Sequence, residues 1–534
     1  MSITSLTFLI FIFGTLVLYY LVPKKIQWLM LLLASGIFYL SYGIKSIIYV
    51  LITATTIYAA TRWMDSISKK QKAFLSENKG ILSKDEKAAY KKKNKQYRKA
   101  IMLTALLINI GILCVFKYFH FALEQVNGIA SWFGGRGIED TFSLIVPLGI
   151  SFYTFQSIGY LLDVYWEYYE SEKNYFKVLL FVSFFPQMTQ GPISDFSVLS
   201  KELFSEHHLD YKNYSWGFQR MLWGFMKKMV IADTLAPYVK DVFSNYSDYA
   251  GVAVLIGAFL YSIQIYADFS GYMDIMCGYC EMLGIRLTEN FMRPYFAKSI
   301  AEYWRRWHIS LGTWFKKYIY YPIGMSNWSR NLAKNSKEKF GKHFSVTMPA
   351  TIALVVTWLA TGLWHGASWA YIAWGLLNGL FIIFSLWMEP VYDKWKSALK
   401  INESKRIWKA FQVIRTFLLV TFIKVLPEVG TLSDGLGLWK QVFTDHTIPK
   451  SLHQILPFID WSLNIDKINF ALAMGCTALL LLASLLQRKK PIREYFNRVP
   501  MILRTVVLAG LTILIITFGV QASWGAEGFM YANF

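Results

Sequence analysis

The chain has 534 residues, of which 55% are hydrophobic and only 17% charged, whereas soluble proteins carry about 25% charged residues. This composition excludes an ordinary soluble domain and indicates a protein embedded in a lipid bilayer. The formal net charge is +21, but the basic residues lie between apolar segments, as in the cytoplasmic loops of membrane proteins, so no nucleic-acid-binding domain is expected.

Apolar segments long enough to cross a bilayer begin at the N-terminus. The predicted spans are residues 5–22, 28–42, 47–64, 346–363, 369–387, 411–426, 471–486 and 502–520. After the third span, residues 65–100 form a basic stretch that lacks proline and is rich in helix-forming residues, so it is predicted to be helical. We interpret it as a cytoplasmic loop that sets the topology. A surface for anionic lipid or an acidic partner is the alternative.

The other basic stretches agree with one topology. If residues 65–100 are cytoplasmic, three preceding spans place the N-terminus outside, and the basic patches at 316–342, 393–415 and 488–493 also fall inside. The segment 428–467, whose charge is nearly balanced, and the C-terminus are then extracytoplasmic. The first span lacks the features of a cleaved signal peptide. We therefore predict a single multi-pass domain, residues 1–534, in the cell membrane.

Residues 147–192 and 266–294 are predicted to be irregular, because Gly, Pro, Asp and Asn interrupt their apolar stretches. Pro186 and the run from Asp268 to Gly271 are expected to break helices at membrane depth. Such backbone is tolerated only where it is buried in protein or lines a watered cavity. We therefore expect broken or re-entrant helices around an internal cavity. No internal repeat is apparent, which disfavours transporters built from inverted repeats.

Two of the eight histidines lie in aromatic and apolar surroundings. His365 is flanked by Gly362 and Gly366, which would let a helix bend and a substrate approach closely. An ionisable residue in such a segment is costly and is a functional candidate by default. Burial favours the neutral imidazole that a general base requires. A hydrogen-bonded structural histidine is the alternative.

His308 ends a basic, aromatic run. Glu302 and Arg306 are spaced to pair across one helical turn, and Trp304 and His308 would share one face of the same helix. This pattern predicts an interfacial helix that presents His308 inward. Arg305 and Arg306 would either bind a phosphate-bearing donor or anchor the helix among lipid headgroups.

Several common catalytic and metal-binding motifs are missing from the sequence. No G-x-S-x-G elbow, Walker A loop or H-E-x-x-H motif occurs, so nucleotide hydrolysis and zinc proteolysis have no support. Cys277 and Cys280 form a C-x-x-C pair without a second pair or a set of histidines, and we interpret them as packing residues rather than metal ligands. No metal site is expected.

Four motifs occur in a fixed order along the chain. They are residues 266–274 (YADFSGYMD), 290–295 (NFMRPY), 302–310 (EYWRRWHIS) and 362–366 (GLWHG). Together they resemble the membrane-bound O-acyltransferases, specifically the bacterial alginate and peptidoglycan O-acetyltransferases and teichoic-acid D-alanyltransferases. Further similar segments extend the resemblance over roughly residues 1–430. It implies an all-α ring of helices around a thin centre, with a tunnel joining the cytoplasmic and outer faces.

The resemblance also implies roles for individual residues. His365 matches the catalytic histidine and His308 a second active-site histidine. The residues expected to bind or orient the donor are Trp304, Arg305, Arg306, Ser310, Trp364, Asp268 and Asn290. The end of the chain, residues 528–534, resembles a short aromatic motif in which a tyrosine, here Tyr531, carries the acyl group; an aromatic anchor at the membrane interface is the alternative. Near Lys424 the chain departs from the aromatic-arginine element that is usual in this branch.

The implied function is transfer of an acyl group, with acetyl as the first choice, from a cytoplasmic thioester to a hydroxyl of a cell-surface polysaccharide. Acetyl-CoA is the expected donor and an acyl carrier protein thioester the alternative, with no tightly bound cofactor. An extracytoplasmic partner resembling SGNH hydrolases is expected. D-alanyl transfer to teichoic acid is the second reading. A glycan transporter or flippase would share the spans but would not need the two histidine motifs.

Overall fold

A computed structural model describes residues 2–140, 146–448, 450–488 and 491–520. Within these ranges every regular element is helical, and the only β-type pairing is one isolated bridge. The all-α prediction is therefore confirmed. The chain forms two compact units. The first comprises Thr7–Asn213 and Cys280–Leu287, and the second comprises Ser2–Leu6, Tyr214–Tyr279 and the chain from Thr288 onward.

The first unit is built mainly on eight helices within its described residues. They are α1 (Leu6–Leu21), α2 (Gln27–Leu40), α3 (Ile44–Glu77), α4 (Lys84–Trp132), α5 (Ile150–Tyr165), α6 (Tyr175–Ser183), α7 (Phe185–Met188) and α8 (Phe196–Phe204), with a 3-10 turn at Lys24–Ile26. A capping box starts α4: Ser83 Oγ accepts from the Glu86 N–H at 3.2 Å, and the Glu86 carboxylate accepts from the Ser83 N–H at 2.8 Å. The basic stretch 65–100 lies on the ends of α3 and α4, which confirms the predicted helix.

The predicted irregularity of residues 147–192 is also confirmed. The chain forms three short helices there instead of one long helix, and Pro186 lies in the first turn of α7, where its missing N–H is tolerated. Gly149 precedes α5 with a φ of +70°, and a Cβ at this position would lie 3.0 Å from the Met188 carbonyl carbon. Both the backbone conformation and the close approach therefore require glycine.

The remaining helices lie wholly or mostly in the second unit. They are α9 (Tyr211–Phe225), α10 (Asp233–Ser244), α11 (Gly251–Met282), α12 (Ile300–Trp304), α13 (Ile309–Phe315), α14 (Tyr321–Gly324), α15 (Asn327–Phe340), α16 (Lys342–His365), α17 (Trp369–Trp387), α18 (Glu389–Ala398), α19 (Arg406–Val425), α20 (Leu432–Thr444), α21 (Leu452–Ile455), α22 (Asn464–Leu486), α23 (Ile492–Phe496) and α24 (Met501–Phe518). Two π-helical segments, Met226–Ala232 and Lys316–Tyr320, and two 3-10 turns, Tyr246–Asp248 and Pro294–Phe296, complete it.

The predicted break between Asp268 and Gly271 is wrong. Helix α11 runs through this stretch without interruption. The Asp268 carboxylate accepts from the Lys228 ammonium at 2.7 Å, and Lys227 donates to the Ser270 carbonyl at 2.8 Å and to its hydroxyl at 2.9 Å. Because lysines from the facing π-helical segment satisfy these polar groups, the helix needs no opening to water. The irregular backbone is instead the π-helical segment that carries the two lysines. Such segments are frequent at functional sites.

Seven of the described helices are long and apolar enough to cross a membrane. They are α3, α4, α11, α16, α17, α22 and α24. The predicted spans at 47–64, 346–363, 369–387, 471–486 and 502–520 coincide with five of them, whereas α1 and α2 are shorter, with 16 and 14 residues. Helix α19, which contains the predicted span 411–426, is not among the seven, because its apolar residues are interrupted by Arg406, Lys409, Arg415 and Lys424. The ring of helices and its tunnel remain predictions.

Candidate active site

His365 is the last residue of α16, at a tight connection to α17. Ser368 caps α17 by accepting from the Tyr371 N–H at 3.3 Å, which turns the chain back onto the end of α16. A Cβ at Gly362 would lie 2.6 Å from the Tyr371 carbonyl oxygen, and one at Gly366 would lie 2.5 Å from Cε2 of the Tyr371 ring. The two glycines therefore admit Tyr371 against the turn that carries His365.

Aromatic rings enclose the His365 imidazole, which is 2% exposed. Its centroid is 4.5 Å from the ring of Trp374 and 4.9 Å from that of Trp364, and both rings meet it edge-on. The Tyr371 ring lies nearly parallel to it, with centroids 6.4 Å apart and planes inclined by 15°.

His308 is held by pairing between two chain segments that are distant in sequence. The Ile309 N–H donates to the Asn290 carbonyl at 3.1 Å, and the Ser310 N–H donates to the Asn290 side-chain oxygen at 2.9 Å. Next to them, Phe291 and Trp307 form the isolated antiparallel bridge. His308 itself adopts the left-handed conformation, with φ of +46° and ψ of 55°. Such strained backbone in a non-glycine residue persists only where its surroundings enforce it, and it is frequent at functional sites.

This pairing makes the predicted helix over residues 302–310 wrong. Helix α12 ends at Trp304, and the chain then turns to bond with residues 290–293 before α13 begins at Ile309. Trp304 and His308 therefore do not lie one helical turn apart. The predicted pair between Glu302 and Arg306 is confirmed, with 2.6 Å between the carboxylate oxygen and Nη2.

Aromatic packing also surrounds His308, which is 1% exposed. The Phe269 ring meets the imidazole edge-on at 4.9 Å, and the Trp364 ring lies 6.0 Å from it. Burial lowers the pKa of His308 to about 3, so the imidazole is neutral at physiological pH. A neutral imidazole has one N–H that can donate and one nitrogen that can accept.

Trp364 joins the two histidines, because its ring packs against both imidazoles. Trp304 belongs to the same cluster: its ring is 5.4 Å from that of Trp374, which contacts His365. The Trp304 indole N–H donates to the Asn378 side-chain oxygen at 2.9 Å, which fixes the orientation of the ring. Three elements that are far apart in sequence thus assemble one buried aromatic site.

The other predicted site residues occupy different positions. Asp268 forms a buried ion pair with Lys228, and it is its neighbour Phe269 that contacts His308. Asn290 and Ser310 shape the backbone around His308. Arg305 is exposed, whereas Arg306 is half-buried and lies between Glu302 and the Arg293 carbonyl. Tyr531 lies outside the described residues.

Sequence reasoning missed several residues of this site. In a chain so rich in aromatic residues, nothing in the sequence marks Phe269, Tyr371 and Trp374 as site residues. Gly362 and Gly366 were the available sequence feature, because two glycines so close together indicate that another residue packs tightly against the backbone. Lys424 was noted as a departure from the family pattern. Its ammonium, on a side chain that is 5% exposed, lies 3.4 Å above the Trp307 ring and donates to the Tyr295 hydroxyl at 3.3 Å.

The residues that the structure describes contain no group of three or more His, Cys, Asp or Glu side chains that could hold a metal ion. Cys277 and Cys280 are both buried within α11. What the site offers is two buried imidazoles within one aromatic cluster, beside a backbone turn that is held in a strained conformation. This arrangement suits proton transfer to and from a substrate in water-poor surroundings.

Comparison with known proteins points to one family. Residues 170–426 match the family described as MBOAT, membrane-bound O-acyltransferase family. The chain is 34% identical over 343 residues to "Probable alginate O-acetylase AlgI" of Pseudomonas aeruginosa, covering 64% of this chain and 60% of that protein. It is 32% identical over 392 residues to the protein of the same name from Azotobacter vinelandii, covering 73% and 69%. It is also 32% identical over 310 residues to "Peptidoglycan O-acetyltransferase" of Helicobacter pylori, covering 53% and 55%.

Proposed function

The chain belongs to the membrane-bound O-acyltransferase family, and from this we infer that it transfers an acetyl group from a cytoplasmic thioester to a hydroxyl of an extracytoplasmic polysaccharide. The observation that carries the proposal is the cluster in which Trp364 packs against both His308 and His365. The names of the similar proteins, alginate O-acetylase and peptidoglycan O-acetyltransferase, support acetyl as the group and a polysaccharide as the acceptor.

The proposed reaction is acyl transfer with His365 as the general base. Neutral His365 removes the proton from the acceptor hydroxyl as its oxygen attacks the thioester carbonyl. The tetrahedral intermediate then collapses, the carbon–sulfur bond breaks, and the leaving thiolate takes the proton back from His365. General acid–base catalysis of this kind contributes roughly 10²–10⁴-fold to a rate.

His308 has a different proposed role. The His308 imidazole is neutral, and a strained backbone turn holds it in place. Its single N–H can therefore be preorganised toward the oxygen on which negative charge develops. The Ser310 hydroxyl lies near it in sequence and is a second candidate donor. The Trp304 and Trp364 rings would keep water out and orient the donor. In this proposal Asp268 positions Phe269, whereas Asn290 positions the His308 backbone.

Tyr531 offers an intermediate stop for the acetyl group. We propose that the group passes from the thioester to the Tyr531 hydroxyl and then to an extracytoplasmic SGNH-hydrolase-like partner, which delivers it to the polysaccharide. The basic segments would lie in the cytoplasm and both termini outside the cell membrane. Acetyl-CoA is the proposed donor.

The test is mass spectrometry of the C-terminal peptide after incubation of the purified protein with isotopically labelled acetyl-CoA. We expect label on Tyr531 in the wild type and none in His365→Ala. The matched control is His446→Ala, which removes an exposed histidine and should leave labelling unchanged. Equal labelling in His365→Ala would refute its role as the base. Turnover with a D-alanyl carrier thioester but not with acetyl-CoA would instead favour D-alanyl transfer.

A further inference from the structure

A buried lysine near the end of α19 faces the rings of the segment that carries His308. Lys424 is the second-to-last residue of α19, and its side chain is buried. The ammonium lies 3.4 Å from the centroid of the Trp307 ring, 5.2 Å from that of Tyr303 and 5.3 Å from that of Tyr295. Trp307 is one of the two residues of the isolated bridge and directly precedes His308. The cation is therefore in contact with the neighbour of an active-site imidazole.

No ion pair balances the charge of Lys424 in the part of the chain that the structure describes. Its one hydrogen bond there goes to the Tyr295 hydroxyl at 3.3 Å. Glu428, the acidic residue nearest to it in sequence, accepts from the Tyr371 hydroxyl at 3.4 Å. Burial disfavours a charged amine, whereas the faces of aromatic rings attract only the charged form. The surrounding rings are therefore what compensates for the buried cation.

The Trp307 ring lacks the hydrogen bond that usually orients a buried indole. Its Nε1 is buried and has no partner among the described residues, whereas the Trp304 N–H donates to the Asn378 side chain. Packing holds the Trp307 ring instead: Phe291 meets it edge-on at 5.0 Å, and Tyr303 lies nearly parallel to it at 5.6 Å. The ammonium at 3.4 Å from the ring centroid supplies a polar contact in place of the hydrogen bond.

The ammonium is itself fixed by its partner. The Tyr295 hydroxyl donates to the Ser262 carbonyl on α11 at 2.5 Å, so that its lone pairs are left to accept from Lys424. Helix α19 also packs against α12 and against the turn Pro294–Phe296. The cation is thus held between α11 and α19 and can act as a fixed point for the Trp307 ring.

Two connections lead from Trp307 to the His308 imidazole. The first is the backbone, because the Ile309 N–H donates to the Asn290 carbonyl at 3.1 Å and His308 is held with φ of +46°. A strained conformation of this kind persists only where its surroundings enforce it. The second is Phe269, whose ring lies 6.3 Å from that of Trp307 and 4.9 Å from the imidazole. A shift of the Trp307 ring would therefore be transmitted to His308.

We infer that Lys424 is a positioning residue for acyl transfer: its ammonium holds the Trp307 ring and thereby keeps the His308 imidazole in the orientation that the reaction needs. This inference rests on the proposed function, in which the His308 N–H points toward the developing oxyanion. The effect belongs to the chemical step, because the displaced group acts in the transition state. A misplacement of about 1 Å at such a group can reduce a rate by about 10²-fold.

The test removes the cation and keeps the size of the side chain. We expect Lys424→Met to lower kcat for transfer from acetyl-CoA by about 10- to 100-fold and to change KM by less than about twofold. Its melting temperature in detergent should be equal to that of the wild type or higher, because an apolar group replaces a buried charge. Lys424→Arg keeps a cation, since arginine stays charged when buried, and should hold kcat within about fivefold of the wild type.

The matched control is Lys409→Met, which removes an exposed lysine from the same helix and should change neither kcat nor KM. Full activity in Lys424→Met would overturn the inference. A loss that Lys424→Arg shares, or one that comes with a lower melting temperature, would overturn it as well, because the lysine would then only support the fold.

A double-mutant cycle tests whether Lys424 acts through the Trp307 ring. Trp307→Leu removes the ring face and retains an apolar side chain. In that background we expect Lys424→Met to lower kcat by less than about twofold further, because the two residues act as one unit. Fully additive losses would mean that Lys424 acts by another route, which would refute the assignment.

A second measurement does not depend on acyl transfer. The protein has eight histidines, so labelling their Cε1 atoms with ¹³C gives few NMR signals, and that of His308 is identified by its loss in His308→Gln. We expect this signal to shift or broaden in Lys424→Met and to stay unchanged in Lys409→Met; an unchanged signal in Lys424→Met would contradict the inference. If the wild type transfers no acetyl group while the His308 signal still responds, the proposed function fails and the link between Lys424 and His308 stands.

Discussion

Gly366 offers a sharp test of how the His365 turn is assembled. It has φ of −172° and ψ of 154°, an extended backbone that any residue adopts, so Gly366→Ala introduces no backbone strain. The new Cβ would instead lie 2.5 Å from Cε2 and 3.0 Å from Cγ of the Tyr371 ring. Carbon atoms in ordinary contact are about 3.5–4.0 Å apart, so the ring must move by about 1 Å.

This displacement affects the imidazole of His365, because the Tyr371 ring lies nearly parallel to it. It also disturbs the contact in which the Tyr371 hydroxyl donates to the Glu428 carboxylate at 3.4 Å. Overpacking of this kind costs about 1–3 kcal/mol, which a large membrane protein can survive. A misplacement of about 1 Å at a catalytic group can reduce a rate by about 10²-fold. We therefore expect Gly366→Ala to remain folded and to lose about 99% of its acetyl transfer.

The assay is the initial rate of transfer from labelled acetyl-CoA, together with the melting temperature in the same detergent. Gly510→Ala is the matched control, because a Cβ at this position in α24 meets nothing within 4 Å. We expect it to keep full activity and to melt at the same or a slightly higher temperature. Full activity in Gly366→Ala, with unchanged stability, would refute the packing argument.

Three further predictions concern other parts of the fold. Lys228→Met removes the cation that pairs with the buried Asp268 carboxylate at 2.7 Å, and should lower the free energy of unfolding by about 3–5 kcal/mol; the exposed control Lys409→Met should not change thermal unfolding in detergent. Burial raises the pKa of Glu428 from 4.5 to about 7, so the folded protein holds this proton more tightly than the unfolded chain does. The stability that comes from the protonated carboxyl is fully present below about pH 4.5 and is lost as the pH rises through about 7. The melting temperature of the wild type should therefore fall relative to Glu428→Gln between about pH 5 and pH 8, and parallel curves would contradict this. Ser83→Ala removes the cap of α4 and should cost about 1 kcal/mol, measured as faster hydrogen exchange in the first turn of that helix; unchanged exchange would count against the capping box.

Local features of the sequence predicted much of the fold. The span predicted at residues 369–387 coincides with α17, because Ser368 caps its start and an uninterrupted apolar run follows. The breaks within residues 147–192 were also predictable, since proline removes a donor wherever it occurs. Two predictions failed for a common reason. Helix α11 runs through Asp268 because Lys228 neutralises that side chain, and the 302–310 helix ends early because its backbone bonds with residues 290–293.

The sequence by itself determined the membrane class, most of the long helices and the two candidate histidines, because hydrophobicity, helix propensity and the cost of an ionisable group in an apolar segment act within short stretches of chain. Only the tertiary structure decided that Trp364 packs against His308 as well as His365, and that the His308 backbone is strained. The contacts around His308 join residues that are tens of positions apart, and their geometry depends on which segments pack together. No local pattern records that choice.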